Sequence, residues 1–119
     1  ETGSGKTLSF VLPGIKHIQA QPPSSTGPIA LILSPTRELV QQIQEQCAKF
    51  CNPLGINHCV AYGGISKNEQ LLEINNAPQI MIATPGRLID YVESEQVDLN
   101  RVTYFVIDEA DRMLDLGFQ

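Results

Sequence analysis

Tyr104-Phe105-Val106-Ile107-Asp108-Glu109 is four apolar residues that stop abruptly at two acids. A short run of aromatic and β-branched residues with no polar alternation suits a strand buried on both faces of a parallel sheet. Acids directly after its carboxyl end fall where open α/β sheets place their ligands. Three more such runs lie upstream: Ile29–Leu33, His58–Tyr62 and Ile80–Ala83. Helical patterns separate them. Leu39, Val40, Ile43, Cys47 and Phe50 fall on one stripe, Leu71, Leu72 and Ile74 mark a second helix, and Leu88, Ile89 and Val92 a third. A first helix is expected from Gly5 or Lys6 toward Ile18, bent by Pro13. Gln21–Pro28 reads as a surface loop. Strands alternating with helices give an α/β fold, a mainly parallel sheet flanked by helices.

At 119 residues the chain is one domain at most. Its 42% apolar and 18% charged residues are ordinary for a globular protein. No apolar run approaches the roughly 20 residues of a membrane span. With no membrane span and no signal-peptide pattern, an intracellular protein is expected, nucleus or cytoplasm left open. Cys47, Cys51 and Cys59 read as buried, reduced thiols, because no further Cys/His pair completes a metal set. The net charge of −5 argues against a broad basic face, so any nucleic-acid site has to be built locally.

Glu1-Thr2-Gly3-Ser4-Gly5-Lys6-Thr7 ends in the Gly-Lys-Thr of a P-loop, the pattern's first position falling one residue before Glu1. Thr2 through Thr7 are therefore the candidate ATP-binding residues. Gly3 and Gly5 let backbone N–H groups approach phosphate oxygens, and the following helix adds its positive end. Lys6 is expected at the β- and γ-phosphates and the Thr7 hydroxyl on Mg2+. Asp108 is the second candidate for Mg2+, and Glu109 the candidate to orient and activate the attacking water.

Together these residues resemble one known family. TGSGKT at Thr2–Thr7, PTREL at Pro35–Leu39, the Gly63-Gly64 pair, TPGR at Thr84–Arg87 and DEAD at Asp108–Asp111 follow the order of DEAD-box RNA helicases. The resemblance runs through Arg112–Phe118 and so covers the whole chain. It implies a RecA-like P-loop NTPase fold, with residues 1–119 forming part of the N-terminal ATP-binding domain, from the P-loop to just past the DEAD motif. It further implies an RNA-dependent ATPase that binds and unwinds RNA, works with a second RecA-like domain of its parent chain, and uses Asp111 to link ATP state to interdomain contacts. Motifs expected before and after this segment, and the arginine finger of the second domain, are not in it. The segment alone is therefore expected to bind ATP weakly and unwind nothing. An ATP-gated RNA clamp with little unwinding and a DNA-directed motor of the wider superfamily are the alternatives.

The middle motifs also read from physical chemistry alone. Ser34-Pro35-Thr36-Arg37 and Thr84-Pro85-Gly86-Arg87 each follow a strand with a hydroxyl residue suited to N-cap and a proline suited to N1. Each then sets an arginine in the first helical turn, the unfavourable sign for the helix dipole, at a cost of ~0.3–1 kcal/mol. The arrangement makes sense where an anion also binds. Gly63 and Gly64 end a third strand and permit close backbone approach, and Ser66 with Glu69 forms a capping box for the next helix. Pro35, Thr36, Arg37, Gly63, Gly64, Thr84, Pro85, Gly86 and Arg87 are thus the expected track for successive phosphates of a single RNA strand. The preference for RNA comes from the resemblance.

Overall fold

Strands form at all four apolar runs: β1 (Ala30–Leu33), β2 (His58–Ala61), β3 (Ile80–Ala83) and β4 (Tyr104–Ile107). The computed structural model describes residues 3–22 and 27–109. Helices α1 (Gly3–Gln19), α2 (Arg37–Cys51), α3 (Lys67–Ile74) and α4 (Pro85–Glu93) alternate with the strands, and a 3-10 turn at Asn52–Leu54 follows α2. The sheet order is β2-β3-β1-β4 with every pair parallel. Pro23–Thr26 of the expected loop and the Arg112–Phe118 run of the resemblance lie outside the described residues.

Side-chain alternation along β1 splits the core in two. Ala30 and Ile32 face a cluster built with Val11, Ile15 and Ile18 of α1 and Val40, Ile43, Cys47 and Cys51 of α2. Leu31 faces a second cluster with Ile74 of α3 and Leu88 and Tyr91 of α4. The result is three layers: α1 and α2, the sheet, then α3 and α4. Each valine, leucine or isoleucine among them contributes roughly 1.5–3 kcal/mol when fully buried. The three cysteines are free and buried. Burial pushes the Cys59 thiol up to about 12, with Glu73 adding to the effect.

Several expectations need correction. Helix α1 starts at Gly3, two residues before the earliest expected start, an offset of the size usual at helix ends. As expected, it continues through Pro13, ending at Gln19, one residue past Ile18. Leu72 is 77% exposed, since α3 turns Gln70, Leu71 and Ile74 inward. On α4, Ile89 and Val92 are exposed and the buried pair is Leu88 and Tyr91, three residues apart on the inner face. Strand β4 is not buried on both faces. Tyr104 and Val106 pack against the first cluster, but Phe105 and Ile107 are exposed. It is the edge strand of the described sheet, and among the described residues no helix lies over that face.

The register fixes where function can sit. Leu33, Ala61, Ala83 and Ile107 are in line across the sheet. Hydrogen bonds carry the alignment one residue further: Ser34 N–H donates to Ala83 O (3.0 Å), Thr84 N–H to Ala61 O (2.9 Å) and Asp108 N–H to Leu33 O (2.8 Å). Four chain exits therefore share one edge.

Candidate functional site

Two clefts are built on that edge, the first between α1 and β4. The helix begins where the strand ends, so the two elements run in opposite senses. His17 Nε2 and Thr103 Oγ1 are 2.6 Å apart at one end. Lys6 Nζ meets Asp108 Oδ1 at 2.9 Å and Glu109 Oε2 at 2.6 Å at the other. Eleven helical residues rise about 16 Å, and five strand residues advance about the same. The spans match, which is why both contacts close. Between them the Tyr104 hydroxyl donates to the Phe10 carbonyl at 2.6 Å. Burial pushes the Tyr104 phenol up, keeping it protonated as a donor. Its ring lies so close to Gly14 that an added Cβ would be 2.9 Å from Cε2.

Glu109 has φ of 61°, the left-handed region that costs a non-glycine residue of order 1 kcal/mol or more. This turn brings its carboxylate beside that of its neighbour Asp108, so both reach one ammonium group. The Lys6 pKa is raised, first by the hydrogen bond to Glu109, then by that to Asp108. Thr7 and Asp108 are each only 7% exposed. With Leu39, Gln42 and Ile43 of α2, these groups line a cavity of about 170 Å³. Gln42 was missed by the sequence reading; its signal is the i, i+3, i+4 spacing of Leu39, Gln42 and Ile43 on one helix face. Gly3 and Ser4 lie in the first turn of α1, whose leading N–H groups have no intrahelical acceptor. Thr2 and Asp111 lie outside the described residues.

The second cleft forms where β1, β2 and β3 end. The cap of α2 is Thr36, not Ser34: its hydroxyl accepts from Leu39 N–H at 3.2 Å. Ser34 is still pinned to the sheet through Ala83 and is fully buried, so the chain turns into a helix only two residues later. Thr84 caps α4 with Pro85 in the first turn, but without a side-chain cap bond. Ser66 caps α3 and accepts from Asn68 N–H at 3.2 Å.

Both arginines close on the glycine pair. The Arg37 guanidinium lies over the Tyr62 ring, 5.4 Å from its centroid. A Cβ on Gly64, whose φ is 92°, would lie 2.6 Å from Arg37 Nη1, and one on Gly63 would lie 3.7 Å from Arg87 Nη2. Arg87 is more buried than Arg37, with its side chain 15% exposed and its Nη1 buried without a hydrogen-bond partner among the described residues. Its Nε is 3.8 Å from Asp90, which also pairs with Lys67 at 3.5 Å. Arg37, Gly63, Gly64 and Arg87 thus come together at one corner, beside Pro35, Thr36, Thr84, Pro85 and Gly86. The structure leaves this corner separate from the Lys6 cleft, with α2 between them.

A family model described as DEAD/DEAH box helicase matches residues 1–119. The ATP-dependent RNA helicase DBP2 of Vanderwaltozyma polyspora is 56% identical over 99% of this chain and 27% of its own length. Its namesake in Saccharomyces cerevisiae (strain S288c) is 55% identical over 99% of this chain and 22% of its own. Among solved structures, the yeast DEAD-box splicing factor Prp28 superposes on all of this chain with a TM-score of 0.92 at 41% identity, over 29% of that protein. The RNA helicase Prp28 from Chaetomium thermophilum bound to ADP gives 0.90 at 47% identity. The chain spans about a quarter of the length of the curated relatives it matches.

Proposed function

The chain belongs to the DEAD/DEAH box helicase family and has the RecA-like α/β fold of its solved members; on that premise we propose that it is the ATP-binding and RNA-contacting part of an ATP-dependent RNA helicase. Within a protein of its relatives' length, residues 1–119 would form the N-terminal motor segment and close against a second RecA-like domain, with Asp111 in the coupling between them. The observation that carries this reading is the meeting of Lys6 with Asp108 and Glu109 across more than a hundred residues of sequence.

The donor set of the first cleft fits a magnesium nucleotide. Mg2+ is usually held by one or two carboxylates, a hydroxyl and substrate phosphate oxygens. Asp108 and Thr7 offer the first two, both nearly buried. Lys6 and the leading N–H groups of α1, including those of Gly3, Ser4 and Gly5, offer the positive charge that phosphates need. A cavity of about 170 Å³ is small beside the ~300–1,000 Å³ of sites that enclose a whole ligand, so this wall suits the phosphate end. Bound there, the magnesium nucleotide supplies a transferable phosphoryl group with its charge partly neutralised.

The protein's own tasks follow from charge. With a magnesium nucleotide bound, Lys6 would turn from the two carboxylates to phosphate oxygens, and Asp108 would then be free to hold the metal and Glu109 to orient the water. Glu109, held in its left-handed turn, accepts the proton of that water. At the second cleft, Arg37 and Arg87 with the N-termini of α2 and α4 hold phosphates of one RNA strand, and Gly63 and Gly64 let the backbone approach. Local dipoles and two arginines thereby bind a polyanion on a chain of net charge −5.

The test is Glu109→Gln in the full-length protein carrying this chain. Loss of a positioned base typically costs ~10²–10⁴-fold. RNA-stimulated ATP hydrolysis should fall by that factor, with ATP binding retained. Unchanged turnover would remove Glu109 from this role.

A further inference from the structure

Gln70 and Tyr91 are the feature of the RNA-facing half that none of the motifs explains. Both are buried, at 3% and 0% exposure, although glutamine is a residue type found mostly at the surface. Gln70 Nε2 donates to the Tyr62 carbonyl at 2.8 Å, and the Tyr91 hydroxyl donates to Gln70 Oε1 at 2.9 Å. The amide orientation is forced by chemistry. A carbonyl can only accept, so the NH2 end must face Tyr62 and the oxygen is left for the tyrosine.

Each end of this short chain reaches one side of the glycine corner. The Tyr62 carbonyl belongs to the peptide that leads into Gly63, so holding it fixes the plane from which Gly63 and Gly64 depart. The Tyr62 ring carries Arg37, and its hydroxyl accepts from Gln41 Nε2 at 3.2 Å. At the other end the Tyr91 ring lies under the Arg87 guanidinium, 5.9 Å from the centroid. A pair of apolar side chains would fill the same space without burying an amide and a hydroxyl, but would leave the Tyr62 carbonyl without its donor. A satisfied polar pair fixes direction, which an apolar pair does not.

We propose that Gln70 and Tyr91 are positioning residues for RNA: they hold Arg87 and the Tyr62–Gly63 peptide in one fixed relation, and so set the spacing of the phosphate contacts on either side of the glycine pair. This rests on the reading of Arg37 and Arg87 as RNA contacts. Neither Gln70 nor Tyr91 needs to touch the strand.

The experiment is a double-mutant cycle in the full-length protein, with a fluorescein-labelled oligouridylate and a nonhydrolysable ATP analogue. Contacting residues couple strongly enough to change affinity by about three- to tenfold. Tyr91→Phe, which keeps the ring and removes only the hydroxyl, should weaken oligouridylate binding by that factor and leave the ATP affinity measured without RNA unchanged. In an Arg87→Ala background the same substitution should have a clearly smaller effect, since only the Tyr62–Gly63 side is then left to lose. Gln70→Met should behave likewise and carries the test should Tyr91→Phe fail to fold, as read from its thermal midpoint. Equal weakening in both backgrounds, or none in either, overturns the positioning role while the RNA-contact reading stands. If Arg87→Ala alone leaves oligouridylate binding unchanged, the RNA-contact reading itself fails.

Discussion

Gly14→Ala should weaken the protein, against the ordinary rule for helices. In a helix interior alanine is favoured over glycine by about 0.5–1 kcal/mol. Here the new methyl would sit 2.9 Å from Tyr104 Cε2, 3.3 Å from Cδ2 and 3.5 Å from Cζ. Comfortable carbon contacts begin near ~3.5–4.0 Å, so something must give by ~0.6–1 Å. The ring cannot simply swing away, because its hydroxyl is bonded to the Phe10 carbonyl. Overpacking of this kind costs ~1–3 kcal/mol, which leaves a net destabilisation of about 0.5–2 kcal/mol. Any outward shift of α1 also separates Lys6 from Asp108 and Glu109. A misplacement approaching 1 Å at a reacting group can cost ~10²-fold in rate, and with α1 still held at His17 we expect about a tenfold loss of ATP turnover. Urea unfolding and RNA-stimulated ATPase of the full-length protein read the two effects. Tyr104→Phe should relieve part of the cost, since the freed ring can move. A Gly14→Ala protein that gains stability, with unchanged turnover, would show that α1 and β4 are not held in register by this contact.

Two further outcomes follow. Gly64→Ala should cost about 1–3 kcal/mol in urea unfolding, because φ of 92° is strained for any L side chain; the methyl also displaces Arg37, so oligouridylate binding should drop by more than the stability loss accounts for. His58 has its pKa lowered by burial, against a smaller opposing effect of Glu73. The folded state therefore disfavours the charged ring, and the unfolded chain takes up that proton first. This contribution is present above pH ~6.5 and is lost as pH falls through the lower folded value. Unfolding midpoints measured from pH 8 to pH 5 should fall less steeply for His58→Asn than for the unaltered protein, and identical slopes would refute the assignment.

Much of the fold was legible because it depends on local patterns. Apolar runs of strand length alternating with helical stripes specify parallel strands, and of the expected α2 stripe Val40, Ile43 and Cys47 are buried while Leu39 and Phe50 are partly so. What failed was whatever depends on position within the sheet. Nothing in Tyr104–Ile107 tells that β4 lies at the edge of the described strands, so the exposure of Phe105 and Ile107 was invisible. Ser34 was read as the cap in place of Thr36, because the bond that keeps it in the sheet is made to Ala83, about fifty residues away. Lys6 with Asp108 and Glu109 was legible as chemistry, since a P-loop lysine and strand-end acids imply each other. Gln70 and Tyr91 were not. Their pairing is set by how α3 and α4 pack on one sheet face, and it has no spacing signature.

Helix α2 is the element that joins the two clefts. Its first residue is Arg37, beside the glycine corner, and its next turn supplies Leu39, Gln42 and Ile43 to the wall opposite Lys6. Arg37 and Gln42 are five residues apart, a rise of about 7.5 Å along a rigid rod. The rod is held by four buried side chains, Val40, Ile43, Cys47 and Cys51, and by the Thr36 cap. Over five residues a helix is stiff, so a displacement of its first turn would carry the cleft wall with it. The sheet edge alone would not impose this, because β1 and β4 deliver Thr36 and Asp108 on separate chain segments. The shared helix does, and it does so through residues that the sequence presents as one uninterrupted stretch from Thr36 to Ile43.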